Sequence, residues 1–203
     1  SHRWQDQTRC KRIYRWTYSF WHWEISWLGD RSQIPWVVII LHIIMQYTHA
    51  IKESLEIVIW NIIDASTDVI VNSANSTLLW GGGIDGDIHL AAGEQLYQEC
   101  QLLRNTQYFD GLPEWLAVLT KGYNLPAKYI IHTVAPYCRD YLDDSWLQVL
   151  EACYTNCLEI AEENNLTSIS FPSLWTGIFW CDKVLAAEVA LKTICNYILD
   201  NPA

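Results

Sequence analysis

The sequence predicts an α/β fold, in which strands and helices alternate around one central sheet. Of the 203 residues, 51% are hydrophobic and 18% are charged, so the chain can bury a sizeable core and wholesale disorder is not expected. From Leu55 onward, short apolar runs of strand length alternate with longer segments of helical period. Ligands of such folds bind in a crevice at the carboxyl ends of the strands.

The first fifty residues carry the weakest pattern in the chain. Residues 1–36 include six Trp and show neither helical nor strand period, while residues 37–49 fit a buried strand or a short helix equally well. The apolar stretch Ile34–Met45 is too short to span a bilayer. We interpret residues 1–50 as an unassigned leader, disordered or non-native, and expect the domain to occupy residues 51–203.

After residue 54 the elements follow in a clear order. Five segments have the pattern of a strand: residues 55–59, 68–71, 116–120, 129–134 and 167–171. Four segments have apolar residues at helical spacing: residues 85–92, 94–104, 145–164 and 182–199. Gly93 is expected to end the first helix, and Asp182 to cap the last one.

The net charge and the cysteine spacing of the chain limit the classes of ligand that it is expected to bind. A net charge of −10 and a pI near 4.9 disfavour a surface for DNA or RNA, which needs clustered Lys and Arg. A small anion can still be held by backbone N–H groups. The seven cysteines form no C-x-x-C pair, and no His completes a zinc set around Cys153 and Cys157, so no metal is expected. Most cysteines are interpreted as buried thiols in a reducing compartment, the cytoplasm.

A glycine motif lies between the second predicted strand and the first helix. Gly81, Gly83 and Gly86 satisfy G-x-G-x-x-G, but residues 72–80 separate them from the strand and no strand ending in an acid follows. The motif therefore does not indicate a Rossmann dinucleotide site. The sequence also has no G-K-[ST], so a P-loop is excluded.

Two longer motifs that include these glycines are more specific for one protein family than the glycine motif alone. V-N-S-A-N at residues 71–75, followed by L-L-x-G-G-G-I-D-G-x-I-H-x-A-A-G at 78–93, closely resembles the signature of macro domains. The resemblance continues in the family's order through residues 120–134, 153–154 and 171–179, and it points to the MacroD-type branch of mono-ADP-ribosylhydrolases and O-acetyl-ADP-ribose deacetylases. It implies a three-layer α/β/α fold with a mixed sheet, of which the C-terminal strand is missing from this chain.

The resemblance also implies roles for individual residues. Asn61, which replaces an Asp, and Ile62 would engage adenine. Asn75 would contact the distal ribose, and Asn72 would also contact the ligand. One side of the pyrophosphate would lie against Gly81, Gly82, Gly83 and Ile84. The other side would lie against Ser173, Leu174, Thr176, Gly177, Ile178 and Phe179, with Phe179 packed against the distal ribose. Asp85 matches the acid needed for hydrolysis, with Asn75 beside it. No cofactor is implied.

The chemistry of these residue types is compatible with the roles that the resemblance implies. For four of the residues, a purely structural role is an alternative. Glycine permits close backbone approach to a pyrophosphate, and a carboxylate can act as base for an attacking water. Asn72 could instead close a turn after a strand, and Asp85 could be only a helix N-cap. His132 lies in an apolar strand and fits a hydrogen-bonded core histidine better than a catalyst. His89 fits either role.

Five tryptophans stand where the family has glycine or another small residue: Trp60, Trp80, Trp115, Trp175 and Trp180. Such positions often need a positive φ or backbone contact with the ligand, which an indole does not tolerate. Our hypothesis is that these are UGA codons that the source cell reads as glycine. Five restored glycines would raise the count from 9 to 14, near the roughly 7% average. The alternative is an altered module that keeps the fold and has lost the site.

The sequence thus predicts an ADP-ribose-binding domain that hydrolyses O-acetyl-ADP-ribose or mono-ADP-ribosyl esters on proteins. The expected partners are ADP-ribose, O-acetyl-ADP-ribose and mono-ADP-ribosylated proteins, with no nucleic acid and no membrane. One alternative is a reader module that binds ADP-ribose without turnover, and measured turnover separates the two. The other is a fold remnant with a site blocked by tryptophan, which would not bind the ligand.

Overall fold

The computed structural model of the protein describes residues 13–17, 51, 54–58, 60–174 and 182–201. Six strands are present in this part of the chain: β1 Ile13–Thr17, β2 Leu55–Val58, β3 Val69–Ala74, β4 Ala117–Lys121, β5 Tyr129–Val134 and β6 Ser168–Pro172. They form one sheet in the order β2-β1-β6-β3-β5-β4. Every neighbouring pair is parallel except β4 and β5, so the predicted mixed sheet is confirmed.

In the described ranges, the sheet is covered on its two faces by four α-helices: α1 Ile84–Ala92, α2 Glu94–Thr106, α3 Trp146–Glu163 and α4 Lys183–Asp200. One core cluster joins α1 and α2 to the sheet and includes Ile88 and Leu96, which are fully buried. A second cluster joins α3 and α4 to the opposite face and includes Tyr154 and Leu191. The predicted three-layer α/β/α architecture is therefore confirmed. None of the helices described has the length and apolar character needed to cross a membrane.

Helix ends agree with their local sequence. The Asp182 side chain accepts hydrogen bonds from the backbone of Val184 (2.8 Å) and Leu185 (3.0 Å), so the predicted cap of α4 is confirmed. Gly93 ends α1 with φ 88°, a conformation that glycine adopts at little cost, as expected. Because Gly93 separates α1 from α2, the two helices follow each other over the same face of the sheet.

Strand β1 corrects the prediction for the first fifty residues. Ile13–Thr17 pair in parallel with β2 on one side and with β6 on the other, although residues 1–36 were expected to hold no strand. The reason is that this strand is stabilised by pairing with distant segments, and five residues with mixed side chains show no period of their own. Residues 37–49 lie outside the described part of the chain, and the remaining boundary at residue 50 stays a prediction.

The other elements lie close to their predicted positions, with one consequential difference. The strand predicted at residues 68–71 continues to Ala74 as β3, because its pairing with β5 extends from Val69–Tyr129 to Ala74–Val134. Asn72 therefore lies inside a strand, and the alternative that it closes a turn is wrong.

The cysteines were expected to be mostly buried thiols. Cys100, Cys153, Cys157 and Cys195 are free and buried, which confirms the prediction for these four. Cys138 differs because it is disulfide-bonded. The cytoplasmic location stays a prediction.

Candidate functional site

The site lies at the carboxyl edge of the parallel strands. Strands β3 and β6 pair at Val69–Ile169 and Ile70–Ser170, and this pairing does not extend to their carboxyl ends. The segment that leaves β3 carries Asn75 and leads into the glycine loop before α1, and Ser173 follows β6. The topology therefore places Asn75, the glycine loop and Ser173 at the same edge of the sheet, where ligands of α/β folds bind.

Asn72 and Asp85 form the buried polar centre of this edge. Asn72 Nδ2 donates to Asp85 Oδ1 at 2.6 Å and lies 3.0 Å from His132 Nδ1. Asn72 is fully buried and Asp85 is 4% exposed. The alternative that Asp85 is only an N-cap is wrong, because the N-cap of α1 is Gly83 and the Asp85 carboxylate bonds to a neighbouring strand.

The environment of Asp85 changes its acidity. Burial raises the pKa of the Asp85 carboxyl above its ordinary value. A hydrogen bond from Asn72, the proximity of His89 when its ring is protonated, and a hydrogen bond from the Gly81 backbone act in the opposite direction and offset this only in part. A carboxyl with a raised pKa that is still held by a donor is suited to accept a proton from a substrate or a water molecule and to release it again.

His89 lies one helical turn after Asp85. Its Nε2 is 3.6 Å from Asp85 Oδ1, beyond hydrogen-bond distance, and burial lowers the pKa of the ring, so the imidazole is neutral at neutral pH. Both ring nitrogens are buried without a hydrogen-bond partner among the described residues. Buried polar groups are usually paired, so His89 offers an unused donor and acceptor beside the acid.

His132 is a hydrogen-bonded core histidine, as expected. It is fully buried, and Thr120 Oγ1 lies 2.8 Å from its Nε2 while Asn72 occupies its Nδ1. Burial lowers the pKa of His132 to about 3. The ring is therefore neutral and is bonded at both nitrogens.

The glycine loop packs directly against these groups. A Cβ on Gly81 would overlap Asp85 Oδ2 and would lie 2.8 Å from Asn75 Nδ2. Gly83 caps α1 with φ 66°, which requires the conformational freedom of glycine. Gly82 is exposed at the surface of the loop. The loop thus brings backbone to the edge of the crevice next to Asp85.

The remaining predicted ligand residues are partly described. The amide of Asn75 is engaged in its own turn, since Nδ2 donates to Leu79 O (3.2 Å) and Oδ1 accepts from Thr77 N (3.0 Å). Asn61 is exposed, and its side chain accepts from Ile63 N at 3.4 Å. Ile62 is 1% exposed and belongs to the core cluster of α1 and α2, so its side chain is not available to a ligand.

Only part of the second predicted phosphate segment is described. Ser173 is half-buried just after β6, and Leu174 is buried in the core cluster of α3 and α4, so its side chain is not available to a ligand. Thr176, Gly177, Ile178 and Phe179 lie outside the described residues. Their predicted contacts stay predictions.

Three buried side chains have ligand atoms close enough to suggest a metal set: His89, Cys100 and His132. Both nitrogens of His132 are already bonded to Thr120 and Asn72. Burial also raises the pKa of the Cys100 thiol to about 12, which opposes the thiolate that a metal would need. The chemistry of this set therefore fits a packed core better than a metal centre.

One part of the site was not predicted from the sequence. Thr120 lies within hydrogen-bond distance of His132, which in turn lies within hydrogen-bond distance of Asn72. The signal that could have found it is the presence of three polar residues, one in each of three apolar strands that pair side by side. Unpaired polar groups are costly in a core, so such residues are expected to bond to one another.

The fold and the site define a class of α/β domain with a buried carboxylate at the carboxyl edge of a mixed sheet, beside a glycine loop. Residues 71–190 match the model of the macro domain family. The chain is 42% identical over 149 residues to an O-acetyl-ADP-ribose deacetylase of Escherichia fergusonii, covering 72% of this chain and 81% of that protein. It is 44% identical over 134 residues to the human ADP-ribose glycohydrolase MACROD2, covering 66% of this chain and 30% of that protein.

Solved structures of macrodomains are similar to this chain as well. The macrodomain of Oceanobacillus iheyensis with ADP superposes with a TM-score of 0.67 and 42% identity, covering 70% of this chain and 75% of that chain. The Trypanosoma brucei macrodomain in complex with ADP-ribose gives a TM-score of 0.62 and 35% identity, covering 70% of this chain and 56% of that chain. The chain belongs to the macro domain family.

Proposed function

We propose that this domain binds ADP-ribose and hydrolyses ester-linked ADP-ribose, with O-acetyl-ADP-ribose or mono-ADP-ribosylated acidic side chains as substrates. The observation that carries the proposal is the buried Asp85 carboxyl beside the glycine loop, held by Asn72 at 2.6 Å. The relatives named as a deacetylase of O-acetyl-ADP-ribose and as an ADP-ribose glycohydrolase support the same substrate class.

The chemistry can be written with Asp85 as general base. Asp85 accepts a proton from a water molecule, and the water oxygen forms a bond to the ester carbonyl carbon. The tetrahedral intermediate then breaks its bond to the ribose oxygen, which takes the proton back from Asp85. The products are the free carboxylic acid and ADP-ribose. A carboxyl with a raised pKa suits both steps, since it must gain and release the same proton.

Neighbouring groups would bind and orient the substrate. The backbone before α1 offers close approach for the pyrophosphate at Gly81, Gly82, Gly83 and Ile84. His89 has two unpartnered ring nitrogens and would hydrogen-bond a hydroxyl of the distal ribose or the attacking water. Asn75 lies against Gly81 and would contact the same ribose once its amide leaves the turn.

The proposal is tested by measuring hydrolysis of O-acetyl-ADP-ribose by this chain and by a variant with glycine at positions 60, 80, 115, 175 and 180. Asp85→Asn should lower turnover roughly 10²–10⁴-fold, the range for loss of a general base, and leave ADP-ribose binding largely in place. Binding without turnover in either background would establish the reader module instead. Absence of binding in both would establish the fold remnant.

A further inference from the structure

Asn61 is exposed just after the carboxyl end of β2. Strand β2 ends at Val58, and Asn61 is the N-cap of a short 3₁₀-helix, Ile62–Asp64, which lies against α1 and β6. Strands β2, β1, β6 and β3 are parallel, so their carboxyl ends share the edge at which Asp85 lies. Strands β2 and β3 are three strand spacings apart, roughly 14 Å, a span that one ADP-ribose molecule can bridge between its base and its distal ribose.

The capping bond fixes which atom of the Asn61 amide faces the protein. The backbone N–H of Ile63 can only donate, so the side-chain atom 3.4 Å from it must be the oxygen Oδ1. The backbone of Asn61 is extended, as is usual for an N-cap whose side chain accepts such a bond. Among the described residues, none accepts a hydrogen bond from Asn61 Nδ2. The exposed side chain therefore offers its two N–H donors to a ligand.

An exposed aromatic ring precedes this amide in the chain. Trp60 is 46% exposed, and the Arg15 guanidinium lies 5.7 Å from its ring centroid. Two hydrogen bonds to Glu56 (3.0 and 2.8 Å) hold that guanidinium in place. Proteins bind planar bases by stacking them on aromatic rings and read the edges of bases with amide groups. Stacking tolerates any base, so discrimination between bases at this place depends on Asn61.

Purines differ at position 6 in a way that this amide can distinguish. Adenine carries an amine at position 6, which donates hydrogen bonds, whereas hypoxanthine carries a carbonyl, which accepts them. A carboxylate only accepts, so an Asp at residue 61 would match the amine of adenine. Asn61 has its oxygen engaged by Ile63 and presents N–H groups, which match the carbonyl of hypoxanthine. Against adenine the same orientation sets donor against donor and leaves both without a partner.

We infer that Asn61 determines the base specificity of this domain and shifts it toward 6-oxopurines. The substrate class is thereby extended to nucleoside diphosphate riboses with hypoxanthine in place of adenine. This inference rests on the proposed function, in which the site takes ADP-ribose, and goes further by assigning the group that reads the base. It depends on the direction of one hydrogen bond, from Ile63 N to Asn61 Oδ1.

Calorimetry with ADP-ribose and with inosine diphosphate ribose, its hypoxanthine analogue, tests this inference. The two ligands share their sugars and their diphosphate, so the ratio of their Kd values reports on the base alone. With Asn61 we expect the hypoxanthine ligand to bind at least as tightly as ADP-ribose. Asn61→Asp should move the ratio about tenfold in favour of ADP-ribose, the effect of one matched hydrogen bond. The added negative charge acts on both ligands alike and cancels in the ratio.

Both forms of residue 61 are made in the chain as written and in its five-glycine form. Trp60→Gly in the chain as written is the control, because it alters the aromatic surface and should change both Kd values by the same factor. The same ratio with Asn61 and with Asn61→Asp would overturn the inference, as would a clear preference of the parent for ADP-ribose.

The failure of the proposed function has a different signature. A ratio that depends on residue 61, without hydrolysis of O-acetyl-ADP-ribose, would overturn the proposed hydrolysis and leave the inference standing, because calorimetry needs no turnover. Absence of binding of both ligands in both forms of the chain would overturn the inference and establish the fold remnant.

Discussion

The backbone of Gly81 lies so close to the carboxylate of Asp85 that no methyl group fits between them. A Cβ at residue 81 would overlap Asp85 Oδ2 and come within 2.8 Å of Asn75 Nδ2. The Asp85 carboxylate is already held on its other side by Asn72 at 2.6 Å. The loop and the strand therefore clamp the acid between them, and its position depends on the absence of a side chain at residue 81.

Gly81→Ala should therefore displace the Asp85 carboxylate from its place. A misplacement of about 1 Å can cost roughly 10²-fold in turnover, and we expect a loss of that order. Hydrolysis of O-acetyl-ADP-ribose by the variant measures it. Gly82→Ala is the control, since Gly82 is exposed and should tolerate a methyl group. Equal activity of the two variants would contradict the packing described for Gly81.

Trp115 stands in a backbone conformation that favours glycine. Its φ is 63°, and its side chain is 47% exposed, so the indole contributes little packing in return. The left-handed region costs an L-residue roughly 1–2 kcal/mol. Trp115→Gly should raise the free energy of unfolding by about 1 kcal/mol, measured by urea denaturation.

Trp60→Gly provides the matched control for this prediction. Trp60 is similarly exposed (46%), is not among the described residues with positive φ, and has its ring 5.7 Å from the Arg15 guanidinium. Glycine there relieves no strain and removes this contact, so the variant should be slightly less stable than the parent. Stabilisation of both variants to the same degree would mean that backbone strain is not the cause.

Acid should destabilise the fold through Asp68. Partial burial raises the pKa of this carboxyl, but hydrogen bonds from Lys128 (2.9 Å) and Thr167 (2.8 Å) lower it more, leaving it well below its ordinary value. A carboxyl with a lowered pKa stabilises the folded state fully above its unfolded pKa of about 4, and this stabilisation is lost as the pH falls further.

Asp68→Asn should therefore be less stable than the parent at neutral pH and should lose less stability between about pH 4 and pH 2. Urea denaturation at a series of pH values measures both effects. Asp110→Asn serves as a control, because Asp110 is exposed on the turn after α2. If the parent and Asp68→Asn lose stability in parallel below pH 4, the hydrogen bonds that Asp68 accepts from Thr167 do not depend on the charge of Asp68 for their contribution to stability.

ADP-ribose binding should depend on the five tryptophans. Trp80 is 56% exposed next to Gly81, and its ring stacks 6.4 Å from that of His89. Strained positions cost on the order of 1–3 kcal/mol each. The chain as written should bind ADP-ribose weakly in calorimetry, and the five-glycine variant should bind it more tightly. Peptide mass spectrometry of the natural protein tests the decoding hypothesis directly. Tryptophan at these positions together with tight binding of ADP-ribose would refute both the decoding hypothesis and the prediction that tryptophan weakens binding.

The sequence was most informative where local chemistry decides the structure. The helix ends at Gly93 and Asp182 and the strand beginning near Leu55 could be predicted, because glycine, a capping carboxylate and apolar periodicity act over a few residues. Strand β1 could not, since its pairing partners are distant in the chain. The burial of the Leu174 side chain could not be predicted either, because whether a single apolar side chain faces the core depends on packing across elements.

The position of β1 inside the sheet has a consequence for how the protein is made. Ile13 pairs with Ser168, so the ribosome adds more than 150 further residues after β1 before that neighbour is synthesised. Of the two described strands that pair with β1, β2 alone is available until then, and the edge of β1 that will pair with β6 stays open. Parallel pairing over such separations is slow, so the nascent chain carries an unpaired edge of β1 at least until β6 has been synthesised. Helper proteins that shield exposed strand edges would therefore matter most for this chain before Ser168–Pro172 leaves the ribosome.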